Sequence, residues 1–418
     1  MNIIGTYNNT KSILSQTIEW INVLSTMYLI GSLILPFNLQ KPAIYVYTIS
    51  TIADIIVNKR YANVKWRNAK WSFAAMTLFY LCMWIWHIFE DCTSTIYFHS
   101  TDIRLPFIAF GLLGLTCNTN SRIKIIHIAY TMLAMSVGII IWLAINIFAN
   151  NPSTIDSIRE LLPSLRLRNL HVTHIELNIY LNSTIAMCFI CILENKKWWN
   201  RIICIIGISI IYTSLLINEG RVGFITTNIL LSFFVGLTIY RYKPQLLIPF
   251  LSIFSIAVCI ISSSHARFEL SEIIKDPRNK IWELSLDIIK EKPIFGHGVC
   301  EGKQLIIEKT TNSPDLNYFW NEWNSIFPDY NKNRFHCHNV FLESAIEFGI
   351  IGLVLTISIF LLPILLTKKK RQLYLFIFII IFGIQAMFET FTFHSQPILF
   401  CWIIFFFINI TLENRNQM

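Results

Sequence analysis

Long apolar runs separated by short polar stretches fill most of the chain. They lie near 17–36, 40–57, 71–89, 104–118, 125–149, 174–193, 200–217, 222–239, 245–262, 343–366, 372–390 and 396–411. The hydrocarbon layer of a bilayer takes roughly 20 helical residues, so this spacing predicts an all-α polytopic membrane protein with about twelve transmembrane helices. Two polar intervals break the rhythm, a short one at 150–172 and a large one at 262–338. The predicted organisation is therefore helices 1–9 within residues 1–261, a large outside loop at 262–338, and helices 10–12 within 339–418.

The large loop has structure of its own. Asp276-Pro277 reads as an N-cap with proline at the first helical position, and Ile281, Leu284 and Ile288 make an apolar stripe at helical spacing. Lys292-Pro293 ends that helix. The remainder, through Thr310, Tyr318, Trp320, Trp323 and Tyr330, is polar with many aromatic rings. Such a composition suits stacking on sugars and equally suits an interfacial aromatic belt.

Composition agrees with the pattern: 54% of the 418 residues are hydrophobic, 14% are charged, and the mean hydropathy is +0.53. A formal charge of +9 raises the question of nucleic acid, but the distribution of the basic residues answers it. Lys59, Arg60, Lys65, Arg67 and Lys70, then Arg122 and Lys124, then Lys196, Lys197 and Arg201, then Arg241 and Lys243, then Lys368–Arg371 occupy alternate loops. This is the positive-inside signature of topology, with both termini in the cytoplasm, and no polyanion groove is expected. The intervening loops are poor in Lys and Arg, and one carries Glu90, Asp91 and Asp102. The first sixteen residues are polar and no small-residue cleavage site follows the first run, so that run is expected to stay as an anchor. The ten cysteines fall mostly inside apolar runs; Cys92, Cys300 and Cys337 lie outside them, without the spacing of a disulfide framework, and a Cys300–Cys337 bridge is left open.

Three candidates for chemistry stand at predicted helix starts on the outside face. Arg221 opens the eighth run, Arg278 lies in the first turn of the loop helix, and His338 opens the tenth run. Helix N-termini disfavour cations, so an arginine there needs another reason, and an anion held between arginine forks and free N–H groups supplies one. Singly, Arg221 also reads as a snorkelling residue and Arg278 as a solvated loop charge. His338 is of the residue type suited to act as a general base for a hydroxyl. At helical spacing His338, Leu342, Ala345, Gly349 and Gly352 share a face whose small residues admit a neighbouring helix. His336, Cys337 and His297 have only weak zinc spacing, and no metal is expected. In the shorter loop Arg159, Arg166, Arg168, His171 and His174 form a basic cluster that either touches an anion or solvates the membrane surface.

Arg221-Val222-Gly223, Arg278 with Trp282, Pro293-Ile294-Phe295-Gly296-His297-Gly298, and His338-Asn339 followed after nine residues by Gly349-Ile350-Ile351-Gly352 together resemble the O-antigen ligase and polymerase family of lipid-linked glycan ligases. The resemblance covers the whole topology. It implies a GT-C-like membrane fold and inverting glycosyl transfer from an undecaprenyl-pyrophosphate-linked glycan, without metal, nucleotide sugar or other cofactor. The implied location is the periplasmic face of the bacterial inner membrane, and for a ligase the implied acceptor is a lipid A-core oligosaccharide. Arg221 and Arg278 would hold the pyrophosphate and His338 would serve the acceptor hydroxyl; Asn339, Arg168, His174 and Arg334 are secondary candidates. A polymerase of the same family is the nearest alternative, a protein oligosaccharyltransferase is a further variant, and a twelve-span transporter or flippase belongs to another class.

Overall fold

A computed structural model describes residues 3–61, 68–89, 95–118, 122–150, 157–158, 161–162, 165, 173–195, 197–218, 220–263, 276–326, 335–390 and 395–410. Among the described residues every regular element is a helix: α1 Ile3–Ser32, α2 Phe37–Val57, α3 Lys70–His87, α4 Thr95–Thr116, α5 Ile125–Ala149, α6 His174–Glu194, α7 Trp198–Ile217, α8 Arg221–Tyr242, α9 Leu247–Ser263, α10 Pro277–Glu291, α11 Val299–Thr311, α12 Asn317–Ile326, α13 Val340–Leu365, α14 Lys369–Phe388 and α15 Ser395–Asn409. Each of the twelve apolar runs coincides with one helix, and α10, α11 and α12 belong to the large loop. Helices α5, α6, α7, α8, α13 and α14 are each long and apolar enough to cross a bilayer, while α15 is apolar but shorter. The chain is a polytopic membrane protein.

Burial separates the centre of this bundle from its rim. In α6, 83% of the apolar window is buried, against 28% in α5 and in α7. Helix α6 packs on α5, α7, α8, α14 and α15, and α15 is itself buried along nearly its whole length against α4 and α14. The rim helices turn Ile, Leu and Phe side chains outward, where lipid tails replace water and the exposure carries little penalty. Several polar groups inside the bundle are paired: Tyr180 donates to the Ile30 carbonyl at 3.0 Å, Thr227 to Asn182 Oδ1 at 2.8 Å, and Ser136 meets Thr184 at 3.0 Å.

The ends of α6 and α14 differ in charge chemistry. At one end Lys370 of α14 pairs with Glu194 of α6 at 2.8 Å. On the same pattern Arg60 and Arg122, both from basic loops, share Glu19 at 2.7 and 2.5 Å, and Arg60 also holds Asp54 at 3.1 Å. The opposite ends of α6 and α14 carry His174 and Glu389. A helix of twenty residues separates its two ends by about 30 Å, roughly the thickness of the hydrocarbon layer.

Helix α13 departs from the straight span that its sequence predicts. Gly349 has φ +62° and ψ −151°, and the ladder of the helix opens there. Ile350 N–H donates to the Pro293 carbonyl at 2.9 Å instead of to Ile346. The carbonyls left without their partners take N–H groups from the same loop: Ile346 accepts from His297 and Glu347 from Gly298, each at 2.8 Å. Residues 293–298 are thus inserted into the helix, which satisfies backbone groups that would otherwise be buried unpaired. Gly296 and Gly298 also have positive φ, and a Cβ on Gly296 would lie 2.6 Å from the Glu347 carbonyl.

The chain reverses sharply at this insertion. Thr356 Oγ1 donates to Ser344 Oγ at 2.8 Å, although twelve residues of straight helix would separate them by about 18 Å. A Cβ on Gly352 would meet the Ser344 carbonyl at 2.5 Å and Phe348 at 2.6 Å. The expectation that Ala345, Gly349 and Gly352 form one face for a neighbouring helix is therefore corrected. Gly349 makes the break, and Gly352 lets the two halves of α13 lie against each other. The first half, 340–348, stays near the end of the bundle, and 350–365 runs on as the apolar segment.

Gly349→Ala is expected to lower stability by more than about 1 kcal/mol, because it adds a Cβ at positive φ against the Ile294 backbone. Gly138→Ala in α5, whose Cβ would meet nothing within 4 Å, is expected to be neutral or stabilising by up to about 1 kcal/mol. Thermal unfolding of the two detergent-purified variants checks the contrast.

Candidate functional site

The first half of α13 begins in a turn that the sequence makes unusual. Asn339 caps the helix, its Oδ1 accepting the N–H groups of Phe341 at 2.9 Å and Leu342 at 3.0 Å, while its Nδ2 donates to the Met387 carbonyl at 3.0 Å. The cap therefore also ties α13 to the end of α14. The preceding residue, His338, has φ +55°, a left-handed conformation uncommon for a residue with a side chain. Alternate residues of the turn diverge: Cys337 is wholly buried and its carbonyl accepts from Trp282 Nε1 at 3.0 Å. His336 and His338 both reach Glu389, which caps α14.

Glu389 is the centre of the arrangement, with only 3% of its surface exposed. Its Oε1 lies 2.8 Å from His338 Nδ1 and 3.5 Å from His336 Nδ1, and its Oε2 lies 3.5 Å from Arg278 Nη2. Burial pushes its carboxyl up, yet the two rings and the guanidinium outweigh burial and hold it down at about 2. Facing an ionised carboxylate, His338 Nδ1 carries the proton, so the lone pair of the neutral ring is on Nε2. His336 differs. Its Nδ1 accepts the backbone N–H of His338 at 3.3 Å, which leaves the ring proton on Nε2. Burial, with the neighbouring His338, pushes its pKa well below the usual value against the pull of Glu389.

The arginines enter through two other helix starts. Asp276 caps α10 by accepting the Arg278 N–H at 3.0 Å, and its Oδ2 lies 3.8 Å from Arg278 Nη1 and 3.9 Å from Arg221 Nη1. These are loose pairs, which orient the guanidinium forks without consuming their donors. Arg278 Nε is buried and has no hydrogen-bond partner among the described residues. Arg221 is the first residue of α8, a helix with no side-chain cap. Its position depends on α6, because Asn178 packs so closely on Gly220 and Gly223 that a Cβ at either would collide with it. Asn178 Oδ1 also accepts from Asn218 at 2.8 Å, and Ser395 of α15 donates to Glu176 of α6 at 2.8 Å. The starts of α6, α8, α10, α13 and α15 are thereby linked at one end of the bundle, and the positive ends of their helix dipoles favour an anion there.

The structure thus brings Arg221, Arg278, His338 and Asn339 together. His174 opens α6 at the same end but is not among the groups on Glu389. Arg168 and Arg334 lie outside the described residues, as do Arg159, Arg166, His171 and Tyr330. His297 belongs to the reversal: its Nε2 meets the Ile288 carbonyl at 3.0 Å and its Nδ1 meets Glu301 at 3.3 Å, so it joins no zinc set with His336 and Cys337. The ligating atoms of His336, His338 and Glu389 do lie within 4.8 Å of one another. Arg278 on the same carboxylate, however, puts positive charge beside the place a cation would occupy, which favours an anion.

Two readings that the sequence leaves open are narrowed. Cys300 is disulfide-bonded whereas Cys337 is a free thiol, so they do not pair with each other. Trp320 is buried on Phe335 with ring centroids 4.8 Å apart and forms the small core of the loop with Ile281 and Ile288, so it is no open stacking surface. Tyr318 remains exposed. The residue that sequence reasoning missed is Glu389: it stands 51 positions after His338, at the end of an apolar run. Its one signal was an acidic residue just where a membrane helix ends.

Acidification should act on this cluster in two stages. His336 has a folded pKa below its unfolded value of 6.5, so stability present above about pH 6.5 declines as pH falls below it. Glu389 has a folded pKa of about 2 against 4.5, so its contribution is full above about pH 4.5 and is lost as pH falls toward 2. Melting temperature measured against pH is expected to lose the first stage in His336→Gln and the second in Glu389→Gln.

No curated protein matches the chain. A family model described as O-antigen ligase matches residues 202–357, the stretch from α7 through the reversal of α13 that includes Arg221, Arg278 and His338. Members of that family are glycosyl-transferring enzymes acting as ligases or polymerases. Residues 202–357, a little over a third of the chain, are thus similar to the O-antigen ligase family.

Proposed function

We propose that the chain is an O-antigen ligase of the bacterial inner membrane. It moves a glycan from undecaprenyl pyrophosphate to a lipid A-core acceptor at the periplasmic face, by metal-independent inverting transfer. The observation that carries this reading is the buried carboxylate of Glu389, with one oxygen on His338 and the other near Arg278. It joins a base to an anion clamp, the two functions that transfer from a pyrophosphate requires.

In the reaction the acceptor oxygen attacks the anomeric carbon of the donor sugar from the face opposite the pyrophosphate. The carbon–oxygen bond to the pyrophosphate breaks, and its electron pair leaves with the phosphate. Arg221 and Arg278 stabilise the charge that develops there. The acceptor proton passes to His338 Nε2, and the resulting imidazolium is stabilised by Glu389 through Nδ1–H. Glu389 thus orients His338 and fixes its tautomer.

Three features support the setting. An open apolar groove of about 700 Å³ runs between α8 and α9, from Phe224 near Arg221 to Tyr240, and suits the tail of a lipid donor. The disulfide at Cys300 fits an oxidising compartment on the side of the loop helices. The basic loop residue Lys370 lies at the far end of α14 from Glu389, as the positive-inside rule expects of a cytoplasmic end. A transporter would concentrate ionisable groups near the bilayer midplane, whereas these converge at helix ends.

His338→Ala and Arg278→Ala are expected to reduce transfer by roughly 100-fold or more while the protein remains in the membrane. The check is attachment of glycan to lipid A core in a strain carrying each variant. Glycan joined at normal levels in both would refute the assignment. A core capped with a single repeat unit would indicate a polymerase.

A further inference from the structure

A second buried charge cluster lies behind the transfer site, between α4 and α13. Arg104 and Glu347 are both buried and form a two-pronged pair, Nη1 to Oε2 at 2.6 Å and Nη2 to Oε1 at 3.1 Å. Glu343 Oε1 stands 3.8 Å from the same guanidinium, Met83 Sδ lies 3.3 Å from Nη1, and the Phe79 ring faces Arg104 at 5.9 Å. None of these groups touches the Glu389 cluster. Glu347 nevertheless occupies a decisive place in the backbone, two residues before Gly349, where its carbonyl accepts the Gly298 N–H.

We propose that Arg104 is a positioning residue for the transfer reaction, acting through Glu347 on the short helix that carries His338. Residues 340–348 form a rod with an anchor at each end. At one end, Asn339 is tied to Met387 and His338 to Glu389. At the other end, the inserted loop 293–298 fixes the backbone, and Arg104 fixes the side chain of Glu347. Without Arg104 the second end keeps only the backbone bonds to loop 293–298, which leaves the rod freer to tilt, and a base must stay within hydrogen-bond reach of the proton it removes. Arg104 is suited to this because its planar fork sets direction as well as distance, which a lysine ammonium does not. The proposal rests on the reading of His338 as the base.

The test uses the full-length protein in detergent. Arg104→Met with Glu347→Gln removes both charges of the buried pair together, and Glu343 keeps the neighbouring charge of Lys303, so this double variant is expected to fold; Arg104→Lys keeps the charge and loses the fork. With substrates at saturation, the rate is expected to fall roughly 100-fold in the double variant, as a misplacement of about 1 Å of a reacting group allows. The binding constant for lipid pyrophosphate should stay within about twofold, because Arg221 and Arg278 are untouched, and Arg104→Lys should lie between the wild type and the double variant. Hydrogen exchange, read without any substrate, should rise at residues 340–348 and at His297 and Gly298 while α6 keeps its protection. A rate within about twofold of wild type overturns the proposal, and so does unchanged exchange at 340–348. Failure of the ligase reading itself is distinguishable, since it appears as wild-type protein without transfer activity, while the exchange result still decides whether Arg104 holds the rod.

Discussion

A carboxylate taken out of water must be answered by charge and hydrogen bonds, and in this protein that requirement is concentrated at Glu389. Desolvation of such a group costs several kcal/mol. Here it is met by His338 at 2.8 Å and by Arg278 at 3.5 Å. Those partners come from two separate stretches of chain, the turn before α13 and the first turn of α10, while Glu389 itself stands at the end of α14. The pairing therefore fixes how the loop helices dock on the membrane bundle. It also makes Glu389 an ionised acceptor, and this decides which nitrogen of His338 is free.

The second constraint is the backbone. A helix broken near a membrane leaves carbonyl and N–H groups that lipid cannot satisfy. The loop Pro293–Gly298 supplies them in register to Ile346, Glu347 and Ile350. Two motifs that are remote in sequence are thus one structural unit, since the glycines at 296 and 349 allow two backbones to approach within hydrogen-bond distance. Loop 293–298 follows directly on α10, whose first turn carries Arg278. The same short segment of chain therefore connects the proposed anion clamp to the reversal that positions the proposed base.

Much of this was legible in the sequence, and the unread parts have physical reasons. Apolar length located the helices because backbone satisfaction in lipid leaves few alternatives to a helix. Asp276-Pro277 marked the start of α10 through its cap, and Arg221, Arg278 and His338 stood out because cations and histidines at helix starts have no local stabilising reason to be there. Gly349 was misread because glycine is both a small packing residue and a residue free to take positive φ, and composition does not separate the two uses. Glu389 and Arg104 gave no periodic signal. Each acts through a partner far along the chain, at 338 and at 347, and only the tertiary fold brings these pairs together.

The two buried clusters divide the task between electrostatics and geometry. Around Glu389 the arginine pairs are loose, at 3.5 to 3.9 Å, and Arg278 Nε is left unpartnered, so an arriving anion finds donors already oriented. Around Glu347 the pair is tight and two-pronged, at 2.6 and 3.1 Å, with no donor held in reserve that the site would use. Loose pairing suits a surface whose charges must be exchanged with a substrate. Tight pairing suits a hinge that must not move. His338 stands at the junction, its ring governed by the first cluster and its helix by the second. The proposed transfer between two membrane-bound lipids would need both, because neither reactant has the freedom to search for a misplaced base.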